Sequence, residues 1–314
     1  MPAARIVPRR LDRQTAGRAV AKLEWPTWVV IVAAYSAWVL AVAQAQALGP
    51  IAGSAAMALV ACWHISVQHE LLHGHPTRSR VLNRLLGLAP LAVWYPYDLY
   101  RETHLAHHRD EGLTQPGVDP ESNYVGVDRY ARMPCWQRSL WVAQRTVVGR
   151  MLLGPAMVIV PTWLDIVRRP LRGDWTQTRM WAQHLLLLSA LLCAVDRLAG
   201  VGPLQYLFAV GYPALGLAML RSFHEHRPAS DPAHRVVVNE AGWFLRLLYL
   251  NNNYHAVHHE SPGLPWYRIR GRYLLDREGV LRRNGGFLVA GYGALFRRHA
   301  VRPIDSPVHP PPQP

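Results

Sequence analysis

A run of 23 residues without a formal charge, Pro26 to Leu48, constrains this chain more than any other feature. As a helix it is long enough to cross a hydrocarbon core of about 30 Å. A second nearly uncharged run, Ile51 to Gln68, follows at once. Together they predict two membrane spans joined by a tight turn. A cleaved signal peptide is the competing reading, because basic residues precede the first run and "AQAQA" resembles a cleavage site. The run, however, exceeds a signal core of about 7 to 15 residues, and a further span comes directly after it.

The loops orient the spans. Arg5, Arg9, Arg10, Arg13, Arg18 and Lys22 precede the first span, whereas the connection from Gln44 to Ala56 carries no charge. Arg78, Arg80 and Arg84 follow the second. Positive flanks mark the cytoplasmic side, so the chain starts there and returns there after the hairpin. The net charge of +14 raises the question of nucleic acid, but the arginines sit in blocks between apolar runs. No basic stripe with interleaved aromatics is present, so nucleic acid is not an expected partner. Cys62, Cys135 and Cys193 lack a disulfide framework spacing and read as structural, reduced thiols.

A second apolar pair, Trp181 to Ala199 and Pro203 to Leu220, is joined by "AGVG" and followed by Arg221 and Arg227. It repeats the hairpin. Met151 to Val167 is apolar but contains Gly154, Pro155 and Pro161, with arginines on both sides, which places it in the interface. If it crossed, the later histidines would face the opposite side from His69. Leu85 to Tyr95 is too short to cross and reads as interfacial or re-entrant. The expected architecture is an all-α membrane protein with two transmembrane helical hairpins, four spans, interfacial helices and a cytoplasmic helical cap. Residues 1–25 read as a basic cytoplasmic arm, 26–300 as the membrane domain, and 301–314, ending "SPVHPPPQP", as a disordered Pro-rich tail.

The chemistry lies in the histidines. His69-Glu70-Leu71-Leu72-His73 has the His-Glu-x-x-His pattern of zinc metalloproteases, in which histidines at i and i+4 share a helix face and the glutamate activates a water. Two more clusters follow: His104, His107 and His108 in "THLAHH", and His255, His258 and His259 in "NNNYHAVHHE". Both have i, i+3, i+4 spacing, and the topology puts all eight on one side of the membrane. Eight imidazoles are too many for one catalytic zinc, which takes three protein ligands and an open position. Two metals are implied, and imidazole alone suits zinc, copper, iron or nickel.

These three boxes, with "HHRDEGLTQPGVDPESNY" and "HHESPGLPWYRI", resemble the integral-membrane fatty acid desaturase and hydroxylase superfamily over roughly Trp63 to Arg270. Among its bacterial members, the similarity extends to those related to rhizopine-catabolism proteins and, more distantly, to carotenoid ketolases. The resemblance implies two non-haem irons held by the box histidines, dioxygen as co-substrate, and electrons from a separate ferredoxin-type or reductase partner. It implies a further ligand after the last span, where "RSFHEHR" offers His226, with His224 as the alternative. It also implies an asparagine that holds a water on one iron, for which Asn251, Asn252 and Asn253 are the candidates. Glu70 then becomes a structural residue or one that orients a ligand histidine instead of serving a protease, and Glu102, Asp110, Glu111 and Glu225 read either as further carboxylates of that kind or as surface carboxylates near basic residues. "DPES", Asp119 to Ser122, reads as a loop turn. His75 reads as a turn residue, His64 and His184 as packed in or beside spans, and His234, His299 and His309 as loop or tail residues.

The expected activity is dioxygen-dependent oxidation of an unactivated C–H bond in a membrane lipid or other hydrophobic acyl substrate, with desaturation of a fatty acyl chain foremost. Hydroxylation or ketolation is the alternative on the same scaffold. An intramembrane zinc protease would need a distant aspartate ligand, and Asp165 and Asp196 are isolated. A metal transporter would need ligands within the bilayer, whereas these lie at its edge. No Gly-rich dinucleotide fingerprint is present, so reducing power must come from another protein. The arginine and alanine bias points to a bacterium of high GC content, and hence to its inner membrane with the active site and both termini on the cytoplasmic side.

Overall fold

The computed structural model describes residues 24–108 and 112–310. The basic arm falls almost wholly outside the described residues, as do Asp110 and Glu111. Helix α1, Trp25–Ala43, starts with Pro26 in its first turn, where a missing N–H costs nothing. It turns at Gln44 into α2, Ala45–Leu72. Gly49 sits at φ 76°, a left-handed conformation that lets the chain bend before Pro50, so α2 is kinked near its start. Gly53 packs beneath the Ala45 carbonyl, where a Cβ would lie 2.9 Å from the oxygen.

After α2 come α3, Arg80–Gly87, and α4, Tyr97–His107. Between them the chain makes a non-helical loop whose Leu91, Val93 and Trp94 are buried. Loop backbone at membrane depth survives only if protein groups satisfy it. Here Leu91 O accepts from Tyr206 Oη at 3.0 Å, Val93 O lies 2.6 Å from His184 Nε2, and Trp94 O accepts from Trp163 Nε1 at 3.3 Å. Leu86 O accepts from Tyr35 Oη, which also meets His64 Nε2 at 3.1 Å. His64 and His184 are therefore packing residues, as the sequence indicates.

Short helices α5, Val127–Ala131, α6, Cys135–Ala143, and α7, Val147–Leu152, lead to α8, Gly154–Leu171. Then come α9, Thr178–Ala199, and the pair α10, Pro203–Gln205, and α11, Tyr212–Ser222, fused through a π-helical turn Tyr206–Gly211. Among the described residues, five segments are long and apolar enough to cross a membrane: α1, α2, Val147–Leu171, α9 and Pro203–Ser222. The sequence pattern anticipates four. The fifth arises because α7 and α8 run on with only a break near Leu153, despite Gly154 and three prolines, Pro155, Pro161 and Pro170. Leu186, Leu198, Leu204 and Phe208 point outward, as lipid-facing residues do, while Met57, Ala61, Cys62, Tyr206, Val210 and Ala214 form the core between α2 and α11.

The remaining chain forms a cap: α12, Trp243–Leu248, α13, His255–Glu260, α14, Trp266–Leu275, α15, Arg277–Arg283, and α16, Tyr292–His299. Two short parallel strands, β1 Val238–Asn239 and β2 Leu288–Val289, tie it together. The tail corrects the sequence reading. Instead of a disordered segment from residue 301, the chain to His309 lies along the protein: Ile304 N donates to Arg145 O at 2.8 Å, Val125 N to Pro307 O at 2.9 Å, and His309 N to Val125 O at 2.9 Å. Backbone pairing with a partner far away in sequence outweighs the local proline bias.

Candidate metal centre

Each histidine box occupies a helix end. His69 and His73 share one face of the last turn of α2, with ring centroids 4.7 Å apart. His104 and His107 close α4, and His108 caps it. His255, His258 and His259 lie on α13. That helix is reached through two left-handed residues, Leu250 at φ 46° and Asn251 at φ 57°. Side-chain-bearing residues avoid this region, and such conformations concentrate where the surrounding fold dictates them. Here they turn the chain out of α12 and aim Asn252 at the histidines.

The rings gather in two groups. Ligand nitrogens of His69, His73, His104 and His258 lie within 4.8 Å of one another, as do those of His107, His226, His255 and His259. In the first, His73 Nε2 is 3.2 Å from His104 Nε2, and His108, outside that set of four, has its Nε2 3.1 Å from both His104 and His258. In the second, His226 Nε2 is 3.0 Å from both His107 and His255, and His259 Nε2 is 3.1 Å from His255. The structure thus brings all nine expected histidines together.

These spacings suit a metal. With a metal–imidazole bond of about 2.1 Å, adjacent ligand atoms lie about 3.0 Å apart across an octahedral edge and about 3.4 Å across a tetrahedral one. The nearest separations, 3.0 to 3.2 Å, fall in the range set by these two edges. Among the described residues both groups are all-histidine, and no aspartate joins them as a zinc protease would require.

On His104, His107 and His255 the opposite ring nitrogen is held by oxygen. His107 Nδ1 is 2.8 Å from Asp119 Oδ1, His104 Nδ1 is 3.0 Å from Glu121 Oε1, and His255 Nδ1 is 3.1 Å from Asn252 Oδ1. Glu225, paired with Arg221 at 3.2 Å, lies 3.4 Å from His255 Nδ1. Such partners fix the tautomer and leave Nε2 free to ligate. "DPES" is accordingly more than a turn. Asp119 accepts from Thr114 N and Glu121 N as well, which makes it rigid, and these two carboxylates are the functional residues the sequence reading missed.

Charge follows the same plan. Burial, and next the neighbouring imidazoles, push the pKa values of His226, His255 and His258 well below the ordinary range, so these rings are neutral and able to ligate. Burial alone would lower His107 and raise Glu121. Instead, Glu121 and Asp119 lift His107, while His104 and His107 draw Glu121 down to about 2.

The other candidates separate. Asn252 bridges the groups, its Oδ1 on His255 and its Nδ2 3.3 Å from His69 Nε2. Asn251 donates to Trp266 O, and Asn253 to Asn239 O. His224 lies outside both groups, with Asn239 Nδ2 2.7 Å from its Nε2. Glu70 accepts from Trp266 N at 3.0 Å and so ties α2 to α14. His75 pairs with Glu24, while Glu102 lines a polar cleft of about 390 Å³ with Arg84, Asp98 and Arg101, none of them at the centre. A second cavity, about 10 Å³, touches His69 between Ser66, Tyr100, Ala218, Tyr249 and Asn252.

The apolar helices and the paired histidine groups define an integral membrane protein with two all-histidine clusters, each able to hold a metal ion. The chain belongs to the fatty acid desaturase family, whose model matches residues 46–285. Members are oxidoreductases known for di-iron centres, which the histidine groups fit. No curated protein matches the chain.

Proposed function

We propose that this protein is a membrane di-iron oxidoreductase that uses dioxygen to desaturate a fatty acyl chain. The observation that carries the reading is the pair of all-histidine groups whose Nε2 spacings match ligand edges. His69, His73, His104, His108 and His258 would hold one iron, and His107, His226, His255 and His259 the other. The irons would supply dioxygen activation and C–H cleavage. The protein supplies the rest: Asp119, Glu121 and Asn252 orient the ligand rings, and Arg221 offsets the charge of Glu225. The cavity beside His69 has room for about one water-sized molecule.

In the overall reaction two C–H bonds break and a C=C bond forms, and dioxygen takes the two hydrogens from carbon together with two external electrons and two protons to leave as two waters. The electrons come from a separate ferredoxin or reductase type protein. Hydroxylation uses the same electrons and protons but leaves one oxygen on carbon and one in water.

Topology supports the cytoplasmic placement. His73 ends the first hairpin and His226 follows α11, yet His226 lies 3.0 Å from His107. An even number of crossings must separate them. With α9 and α10–α11 as a hairpin, the segment Val147–Leu171 then stays on one side, flanked by Arg145, Arg150, Arg168, Arg169 and Arg172. This supports four crossings, with the centre proposed on the arginine-rich side.

The test is product analysis by mass spectrometry. Iron-loaded protein is incubated with dioxygen, a ferredoxin and its reductase, and saturated acyl lipids of several lengths. A product lacking two hydrogens, absent with His107→Ala, is expected. Addition of one oxygen would move the assignment to hydroxylase, and hydrolysis of an added peptide would overturn it.

A further inference from the structure

Among the described residues, the stretch 112–126 that carries Asp119 and Glu121 contains no long helix or strand to hold it. Its rigidity has to come from elsewhere. Part comes from Arg150, whose Nη2 donates to Asn123 Oδ1 at 2.5 Å. The rest comes from the far end of the chain. Asp305 takes Arg145 Nε at 2.6 Å and Tyr124 Oη at 2.6 Å, and Arg145 Nη2 reaches Tyr124 Oη at 3.1 Å. Arg145 is 1% exposed, and its guanidinium also lies over the Tyr124 ring at 4.7 Å.

Beyond Asp305 the strand-like pairing of Pro307 and His309 with Val125 continues the grip, and His309 Nε2 lies 3.1 Å from Thr114 Oγ1. Thr114 and Tyr124 bracket the two orienting carboxylates. Tyr124 Oη also lies 3.3 Å from the carbonyl of His226. The C-terminal segment therefore touches both ends of the carboxylate loop, and Tyr124, which it holds, meets the backbone of one residue of the second histidine group.

We infer that Ile304–His309 is a clasp that positions the metal centre, with Asp305 as the positioning residue: through Arg145 and Tyr124 it holds the loop so that Asp119 and Glu121 meet His107 and His104. This rests on the reading that the histidine groups hold metal. A charged clasp residue on a buried arginine is well suited to the task, because a carboxylate satisfies two buried donors at once and leaves no slack in either.

The test uses full-length protein stripped of metal in detergent, with cobalt(II) as the probe and its absorption as the readout. Asp305→Asn keeps the shape and removes the charge. Asp305→Glu restores the charge. Tyr206→Phe, which removes two hydrogen bonds in the membrane core away from the carboxylate loop, controls for general loosening. The expected result is cobalt affinity about tenfold or more weaker in Asp305→Asn, by analogy with other ligand-orienting partners. Asp305→Glu should recover most of it, and Tyr206→Phe should stay near wild type. Asp305→Asn binding like wild type, or Tyr206→Phe weakening it equally, overturns the clasp while leaving the metal reading intact. If Asp305→Asn does not accumulate, His309→Ala reads the same quantity at the outer end of the clasp, with the same expected direction and the same refutation. Wild-type protein that takes up no cobalt overturns the metal reading, and the clasp with it.

Discussion

His107 stands between Asp119 and His226: its Nδ1 is 2.8 Å from the carboxylate, and its Nε2 is 3.0 Å from the other ring. One side chain thus joins a rigid loop to the second histidine group. Replacing Asp119 by Asn would set an amide where a charged acceptor takes Thr114 N and Glu121 N, and would free the ring to rotate. Metal affinity is expected to fall about 10- to 100-fold, measured by competition with a chelator. Unchanged affinity would show that His107 is held without Asp119.

Glu70 gives a prediction of the opposite kind. Its carboxylate accepts from Trp266 N, a contact that Gln can reproduce. Glu70→Gln is expected to keep full metal content and most oxidative activity. A loss of turnover with metal retained would restore the catalytic-base role that His-Glu-x-x-His suggests.

Acid should weaken the metal-free fold. His226, His255 and His258 have depressed pKa values, first through burial and then through their neighbours, whereas in an unfolded chain they titrate near about 6.5. Protons therefore favour the unfolded chain, and stability present above about pH 6.5 is lost as pH falls below it. His107, lifted by Glu121 and Asp119 against the effect of burial, works the other way but is one group against three. The melting temperature of stripped protein is expected to be lower near pH 5.5 than near pH 7.5, and an equal or higher value would contradict the neutral-ring arrangement.

Tyr206 tests the membrane core. It is fully buried, donates to Leu91 O and accepts from Trp38 Nε1 at 3.1 Å. Tyr206→Phe leaves a loop carbonyl and an indole unpaired, at a cost of about 1–3 kcal/mol. Its melting temperature in detergent should drop without loss of metal.

What the sequence made legible follows from local periodicity. Apolar run lengths gave the hairpins, and i, i+3, i+4 spacing gave the box histidines, because both patterns are written within one helix. The histidine after α11 was harder. The helix stops at Ser222, so helical spacing says nothing about whether His224 or His226 turns inward, and only the pairing of His226 with Val236 fixes it. Asp119 and Glu121 reach back 12 and 17 positions to their histidines through a loop with no periodic signal. The proline-rich end looked disordered because its partners, Val125 and Arg145, lie more than 150 residues away.

The most direct test is metal content per chain in detergent-purified protein, wild type against His107→Ala. About two irons per chain, reduced in the variant, is the expected result. About one zinc, unchanged by His107→Ala, would contradict the di-iron account.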